Sequence, residues 1–401
     1  MDMFKKYFKT VILVLIVAVL SGAIFYTYGY KNAIRDYGLS GEELEQEVSD
    51  SSEEELLEEK NTLSILACGD IMSHMPQVRS AYDEEARTYD FNGVFRHVKP
   101  IIESADIAIG NLETVIHPES ELSGFPNFNS PTELVSALSA NGFDLLSTAN
   151  NHSFDRGKDG VISTIDAIEN NGMIQIGSNR DISVNRTRIL EENSIKIGFM
   201  CYTYGLNGHI NDDDHLINIT SLDKFKEDID YLNSENVDKI VLIIHWGNEY
   251  NTNISWEQEE IANAAIEMGV DYILGSHPHV VQKLEVIGEG ADRKLIMYSM
   301  GNFISNQRFE YTNNPYTEDG MMIQLKLERN AESGEVGLSD VQLIPTWVNR
   351  YNDGKWRYEI LPVMQTLNSE VDDIVIGEDL RVKLENSLNR QNEINGVLDY
   401  R

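Results

Sequence analysis

Two periodicities alternate along the chain from Leu63 onward. Apolar runs of strand length occur at Ser64–Cys68, Ile107–Ile109, Leu145–Ser147, Ile195–Tyr202, Lys239–Ile244, Tyr272–Leu274 and Leu295–Tyr298. Between them, apolar positions recur every three or four residues over Pro131–Asn141, Lys158–Asn171, Leu222–Asn236 and Trp256–Met268. Strands alternating with amphipathic helices predict an α/β fold. The first of these helices is expected to be capped by Ser130, with Pro131 in its first turn. Met321–Leu327, Val341–Ile344 and Trp356–Leu361 read as a closing antiparallel set, and Asp379–Leu398 as a polar terminal helix. With no internal repeat and no Gly/Ser/Pro linker after Thr62, one domain over residues 62–401 is the economical reading. Its motif-bearing core would span 63–305, and the closing strands and terminal helix 306–401.

Ahead of that domain the pattern changes twice. From Val11 to Tyr28 runs an uncharged stretch of about eighteen residues, near the length that crosses a hydrocarbon core. Lys5, Lys6 and Lys9 precede it, and Tyr26, Tyr28 and Tyr30 supply an interfacial belt. The lysine flank predicts a cytoplasmic tail over 1–10, a transmembrane anchor over 11–30, and everything beyond it outside the cytoplasm. Ser21-Gly22-Ala23 falls within the apolar stretch rather than after it, so the anchor is expected to stay uncleaved. Half of the residues from Gly41 to Lys60 are Asp or Glu, which makes 31–61 a self-repelling, disordered spacer. The cell membrane is therefore the first expected partner.

Charge narrows the other partners. Lys and Arg number 32 against 66 Asp and Glu, a net charge of −34. Such a field repels phosphate backbones, so no nucleic acid is expected. A 401-residue chain that is 41% hydrophobic can bury a sizeable core. The only two cysteines, Cys68 and Cys201, both lie in strand runs and read as buried free thiols.

The chemistry gathers where strands end. Gly69-Asp70-Ile71-Met72-Ser73-His74 follows the first run, Gly110-Asn111-Leu112-Glu113 the second and Ala149-Asn150-Asn151-His152 the third. His245-Trp246-Gly247 and Gly275-Ser276-His277-Pro278-His279 follow two later runs. Carboxyl ends of strands in an open α/β sheet converge on one crevice. That convergence assembles Asp70, Glu113, Asn151, His152, His245, His277 and His279, with Asn111 and His74 as further candidates. Carboxylates, an amide oxygen and imidazoles form a mixed set suited to Zn, Mn or Fe. Seven groups exceed the needs of one ion, so two ions sharing a carboxylate would account for the composition. His97, His117, His209 and His215 lie in helical or loop stretches and read as ordinary.

These strings carry a resemblance. Gly69-Asp70-Ile71-Met72, Gly110-Asn111-Leu112-Glu113-Thr114, Ala149 through Gly157, His245 through Tyr250, Gly275 through Gln282 and Tyr298-Ser299-Met300-Gly301-Asn302-Phe303 resemble, in order and interval, the bacterial capsule-synthesis CapA family. Members are also described as poly-gamma-glutamate biosynthesis proteins, and their domain resembles calcineurin-like metallophosphoesterases. The resemblance implies a four-layer α/β/β/α sandwich with a metal site at one end. It implies that Asp70 and His279 hold a first ion, Asn151, His245 and His277 a second, and that Glu113 bridges them. His152 would stand beside them as a proton donor. The chain departs from the phosphoesterase pattern Asp-x-His at Met72, whose thioether suits a hard ion poorly. The first position is therefore expected to be the weaker.

Three functions fit these observations. One is a membrane-anchored, outward-facing component of capsule or poly-gamma-glutamate synthesis, partnered by membrane-bound polymer synthase components and by the anionic polymer or its precursor. A second is an extracellular metal-dependent hydrolase, and a third a non-catalytic polymer-binding module. A polyanionic ligand would need metals, or Arg79, Arg87, Arg156 and Arg308, to make the cleft locally positive.

Overall fold

The first apolar run folds as a longer strand than its pattern announced. The computed structural model describes residues 61–396, and β1 spans Thr62–Ile71. It runs on through Gly69-Asp70 because its inner residues are buried on both faces, each apolar one contributing about 1.5–3 kcal/mol. That outweighs the weak strand propensity of the two polar-end residues. The expected tail over 1–10, the anchor over 11–30 and the spacer up to residue 60 lie outside the described residues, as does Leu398 of the expected terminal helix. Among the described residues no helix is long and apolar enough to cross a membrane.

After β1 come α1 (Met75–Ala81), the hairpin of β2 (Tyr82–Asp83) and β3 (Thr88–Tyr89), β4 (Ile107–Leu112), α2 (Thr132–Ala140), β5 (Leu145–Ser147), α3 (Gly157–Asn170) and β6 (Ile174–Ile176). The second half of the core adds β7 (Arg188–Glu192), β8 (Ile195–Thr203), α4 (Leu222–Ser234), β9 (Lys239–His245), α5 (Trp256–Met268), β10 (Tyr272–Ser276), β11 (Leu284–Ile287), β12 (Lys294–Met297) and β13 (Asn302–Ile304). The chain closes with β14 (Asp319–Arg329), β15 (Val336–Asn352), β16 (Trp356–Pro362), α6 (Val363–Leu367) and α7 (Glu378–Asn395).

The strands form two large sheets. One runs β16-β15-β14-β1-β4-β5-β6 with β13 also paired to β1, and the other runs β11-β12-β10-β9-β8-β7. Pairings from β1 through β6, and from β8 through β12, are parallel; the closing strands and the edges β7 and β11 are antiparallel. Alternate residues explain the layering. Leu63, Ile65 and Ala67 of β1 meet Ile197, Phe199 and Cys201 of β8 and Val241 and Ile243 of β9 in a core between the sheets. The opposite face of β1, Leu66 and Cys68, packs on Leu134, Val135 and Leu138 of α2. Leu242 and Ile244 of β9 pack likewise on Phe225 and Ile229 of α4 and on Ala262 and Ala265 of α5. The result is mixed α/β: helix, sheet, sheet, helix. α7 is fastened to the start of β14 by Arg390, whose guanidinium donates to both Asp319 oxygens at 2.6 and 2.7 Å.

One helix start differs from expectation. α2 begins at Thr132, with Pro131 as its N-cap and no side-chain cap. Ser130 instead spends its hydroxyl on Thr114 at 2.8 Å. Both cysteines are free and buried, and burial raises both thiols, that of Cys201 to about 12.

Gly69 controls how β1 presents Asp70. The register with β4 slips between Cys68 and Asp70, so Gly69 is the extra residue of a bulge that re-aims the next side chain. A Cβ at Gly69 would fall inside the carbonyl of Gly301. Gly69→Ala should therefore cost roughly 1–3 kcal/mol or more through forced backbone shifts, read as a lowered denaturant midpoint. An unchanged midpoint would mean that the approach of β1 to Gly301 is loose.

Candidate metal centre

The strand ends do converge. Asp70 near the end of β1, Asn111 in β4, Glu113 just beyond it, Asn151 after β5, His245 closing β9, and His277 and His279 after β10 are all buried. Asp70 is the hub. Its Oδ1 accepts from Asn111 Nδ2 at 2.8 Å, and its Oδ2 faces His279 Nδ1 at 2.9 Å and accepts the His277 N–H at 3.4 Å. His245 Nε2 meets Asn151 Oδ1 at 2.8 Å and His277 Nδ1 at 3.1 Å. Its Nδ1 faces Ser276 Oγ at 3.0 Å, which orients the ring. His277 and His279 sit at φ of 100° and 56°, sparsely populated for non-glycine residues and characteristic of held functional loops.

Glu113 is the anomaly. Its carboxylate is fully buried, and neither oxygen has a hydrogen-bond partner. His245 Nε2 and His279 Nε2 each lie 3.6 Å from Oε1. Burial, then the neighbouring Asp70, push Glu113 well above the usual carboxylate range. Burial raises Asp70 too, but the His279 hydrogen bond and nearby imidazoles overrule it and hold that carboxyl low. Burial lowers two of the imidazoles, His245 strongly and His277 to about 3, which favours the neutral form a ligand needs. Two adjacent buried carboxylates, one without any donor, want a cation.

The donors fit one. Glu113, His245 and His277 form one group with ligand atoms within 4.8 Å of one another, and Asp70, Glu113 and His279 form another. Glu113 is common to both. A third group joins His277 and His279 to Glu249, which is exposed. These clusters are compatible with divalent metal.

Not every candidate is a donor here. Asn111 donates from its amide nitrogen to Asp70, while its Oδ1 accepts from Ser147 Oγ at 3.1 Å, so it holds the Asp70 carboxylate in place. His74 caps α1 instead of extending β1; its Nδ1 accepts the Asn306 N–H at 3.3 Å and its ring stands on Phe128. It lies outside the ligand groups. Met72 lines a separate cavity of about 250 Å³ with Phe91, Ile304 and Tyr358. His152 also lies outside the groups. Its Nδ1 meets Asp155 Oδ2 at 2.7 Å and its ring edge packs on Phe128. Sequence reasoning passed over Asp155 and Glu249, although both stand in the quoted strings; three-residue spacing from His152 was the available signal for Asp155. Tyr204, whose ring lies 4.6 Å from that of His277, had no signal.

Of the other histidines, His97 is a buried partner of Glu359 at 3.2 Å, and His209 reaches to 3.7 Å from Asp155. Two of the four candidate arginines are spent on structure. Arg156 donates to the Asp155 carbonyl and to Ser123, and Arg308 is buried against Glu318 and the Trp347 ring.

A family model described as bacterial capsule synthesis protein PGA_cap matches residues 64–307. The capsule biosynthesis protein CapA of Bacillus anthracis is 27% identical over 290 residues, 68% of this chain and 66% of that protein. The PGA biosynthesis protein CapA of Bacillus subtilis (strain 168) is 26% identical over 253 residues, 60% of this chain and 62% of that one. The matches thus span just under two thirds of these relatives. Among solved structures, the calcineurin-like phosphoesterase YfkN from Bacillus subtilis aligns with 83% of this chain and 98% of its own, at 15% identity and a TM-score of 0.41. Likeness of that order does not bear on activity.

Proposed function

The chain belongs to the bacterial capsule synthesis protein PGA_cap family, and from that premise we propose a membrane-anchored, extracytoplasmic component of capsule or poly-gamma-glutamate biosynthesis that works through a divalent-metal centre. The observation that carries the metal is Glu113: a buried carboxylate with no hydrogen-bond partner, common to two ligand groups. Glu113, His245, His277 and Asn151 would hold one ion, and Asp70, Glu113 and His279 a second. Nitrogen and oxygen donors without thiolate suit Mn, Zn or Fe. The apolar stretch over 11–28 and its lysine flank support the anchor. Membrane-bound polymer synthase components are its expected partners. With Arg156 and Arg308 spent on structure, the ions are what would attract an anionic polymer or its precursor to a chain of net charge −34.

One further observation favours a reaction over mere holding. Bound ions would supply charge that polarises a phosphoryl or carbonyl oxygen. Asp155 fixes the His152 tautomer through Nδ1, leaving Nε2 to give or take a proton. Together these support hydrolysis of a phosphoester, an amide or a lipid-linked intermediate.

The test is a chromosomal His277→Ala strain, with polymer output scored beside metal content of the purified full chain. Output and metal should fall together, with the protein still present in the membrane fraction. Normal polymer from a metal-free variant would remove the metal centre from the function.

A further inference from the structure

The two ligand groups that share Glu113 are unequally furnished. The His245–His277 side has Asn151 as an additional oxygen, its Oδ1 2.8 Å from His245 Nε2. The His279 side has Asp70, Glu113 and His279 alone. Neither His74, engaged with Asn306 and Gln77, nor Met72, which lines another cavity, completes it. Three protein donors leave a transition-metal site open or weak.

Glu249 is placed to supply the missing donor. A carboxylate oxygen of Glu249 and a ring nitrogen from each of His277 and His279 lie within 4.8 Å of one another. Glu249 shares His279 with the Asp70–Glu113 group, and it is exposed where Glu113 is buried.

The loop bearing Glu249 is fastened on both sides. Before it, Gly247 turns at φ 88° against the Gln258 side chain, where a Cβ would not fit. After it, Tyr250 sits at φ 64° and its N–H donates to the Pro278 carbonyl at 2.7 Å. Pro278 lies between the two histidines. Asn314 Nδ2 donates to the Tyr250 carbonyl at 3.1 Å, Gln307 Nε2 to its hydroxyl at 3.3 Å, and Gln282 Nε2 to the Asn251 carbonyl at 2.8 Å. A non-glycine residue held in the left-handed region by three partners indicates a loop whose position is specified rather than incidental.

We infer that Glu249 is a metal ligand that closes the centre from its solvent side, giving the position held by Asp70, Glu113 and His279 its fourth protein donor. The inference rests on the metal-centre reading above. It adds an exposed carboxylate that can be removed without touching the core.

The experiment is Mn²⁺ titration of the chelator-stripped full chain in detergent, by calorimetry and by electron paramagnetic resonance, for the parent and for Glu249→Gln. The parent should take up two ions with a spin-coupled spectrum. Glu249→Gln should keep one ion at parental affinity and bind the other at least about tenfold more weakly, the smaller end of what metal-site partners cost. The coupled signal should give way to an isolated Mn²⁺ spectrum at one equivalent, while the metal-free melting temperature stays put. Unchanged affinity at both positions overturns the assignment of Glu249, as does loss of both ions or a parent that binds one ion indifferently to Glu249→Gln; in these cases the metal centre stands. A parent that binds no Mn²⁺ overturns the centre itself.

Discussion

Glu113→Gln is expected to empty both metal positions while leaving the metal-free domain folded. Both buried ligand groups pass through this one carboxylate, so its loss should weaken each ion by more than about a hundredfold, the upper range for metal-site partners that do not even touch the metal. Metal at a hundred times its dissociation constant stabilises a fold by about 2.7 kcal/mol. The rise in melting temperature on adding Mn²⁺ to the parent should therefore disappear in the variant. The metal-free forms differ in the other direction. A carboxyl whose folded pKa is raised stabilises the fold below its unfolded value, near 4.5 for Glu113, and loses that contribution as pH rises through the folded value. Relative to Glu113→Gln, the metal-free parent should thus lose stability as pH rises from about 4.5, the unfolded value, until the raised folded value is passed. Melting curves across pH, with and without metal, and elemental analysis of both proteins check all of this. Retained metal in Glu113→Gln would show that the orphaned carboxylate is not the shared ligand.

Why the site could be read from the sequence follows from how strands deliver side chains. Asp70, Glu113, Asn151, His245 and His277 each follow an apolar run, and parallel strands place such ends on one edge whatever their separation in sequence. What could not be read depends on register and loops. The bulge at Gly69 is set by contact with Gly301, 232 positions along the chain by numbering, and nothing local announces it. β15 extends over Val336–Asn352 although only Val341–Ile344 looked like strand, because β14 and β16 give its polar residues ladder partners. Three of the five residues of β7 are charged, and β13 has three residues; neither has the periodicity that marks an independent strand. α1 is hidden by its proline and polar residues, yet Pro occupies its tolerated first turn. The roles of Asn111 and His74 were undecidable from spacing, since both turn on which neighbour takes the side chain. Asn111 goes to Asp70 and Ser147, and His74 to Asn306.

His152→Asn should separate chemistry from ion binding. His152 stands outside the groups that could hold metal, so the variant should keep its ions. Its contacts are with Asp155 at 2.7 Å and with the Phe128 ring, and Asp155 Oδ2 also accepts the Phe128 N–H at 2.6 Å. Those contacts lock the ring in place and fix its tautomer. If the domain catalyses hydrolysis, losing the proton donor should lower turnover of a generic phosphoester by ~10²–10⁴, with polymer output falling in the same strain. The stability cost is modest, because Asp155 Oδ2 loses the imidazole but keeps the Phe128 N–H; one lost hydrogen bond costs about 0.5–1.5 kcal/mol. Asp155→Asn therefore serves as the companion. It leaves the imidazole present but no longer held with Nδ1 protonated, so turnover should fall with metal content again unchanged. A purely structural pair would behave otherwise. Both variants would lower the melting temperature, and metal-loaded protein that stayed folded would support normal polymer output. That outcome would assign the centre to holding the polymer rather than cutting a bond in it.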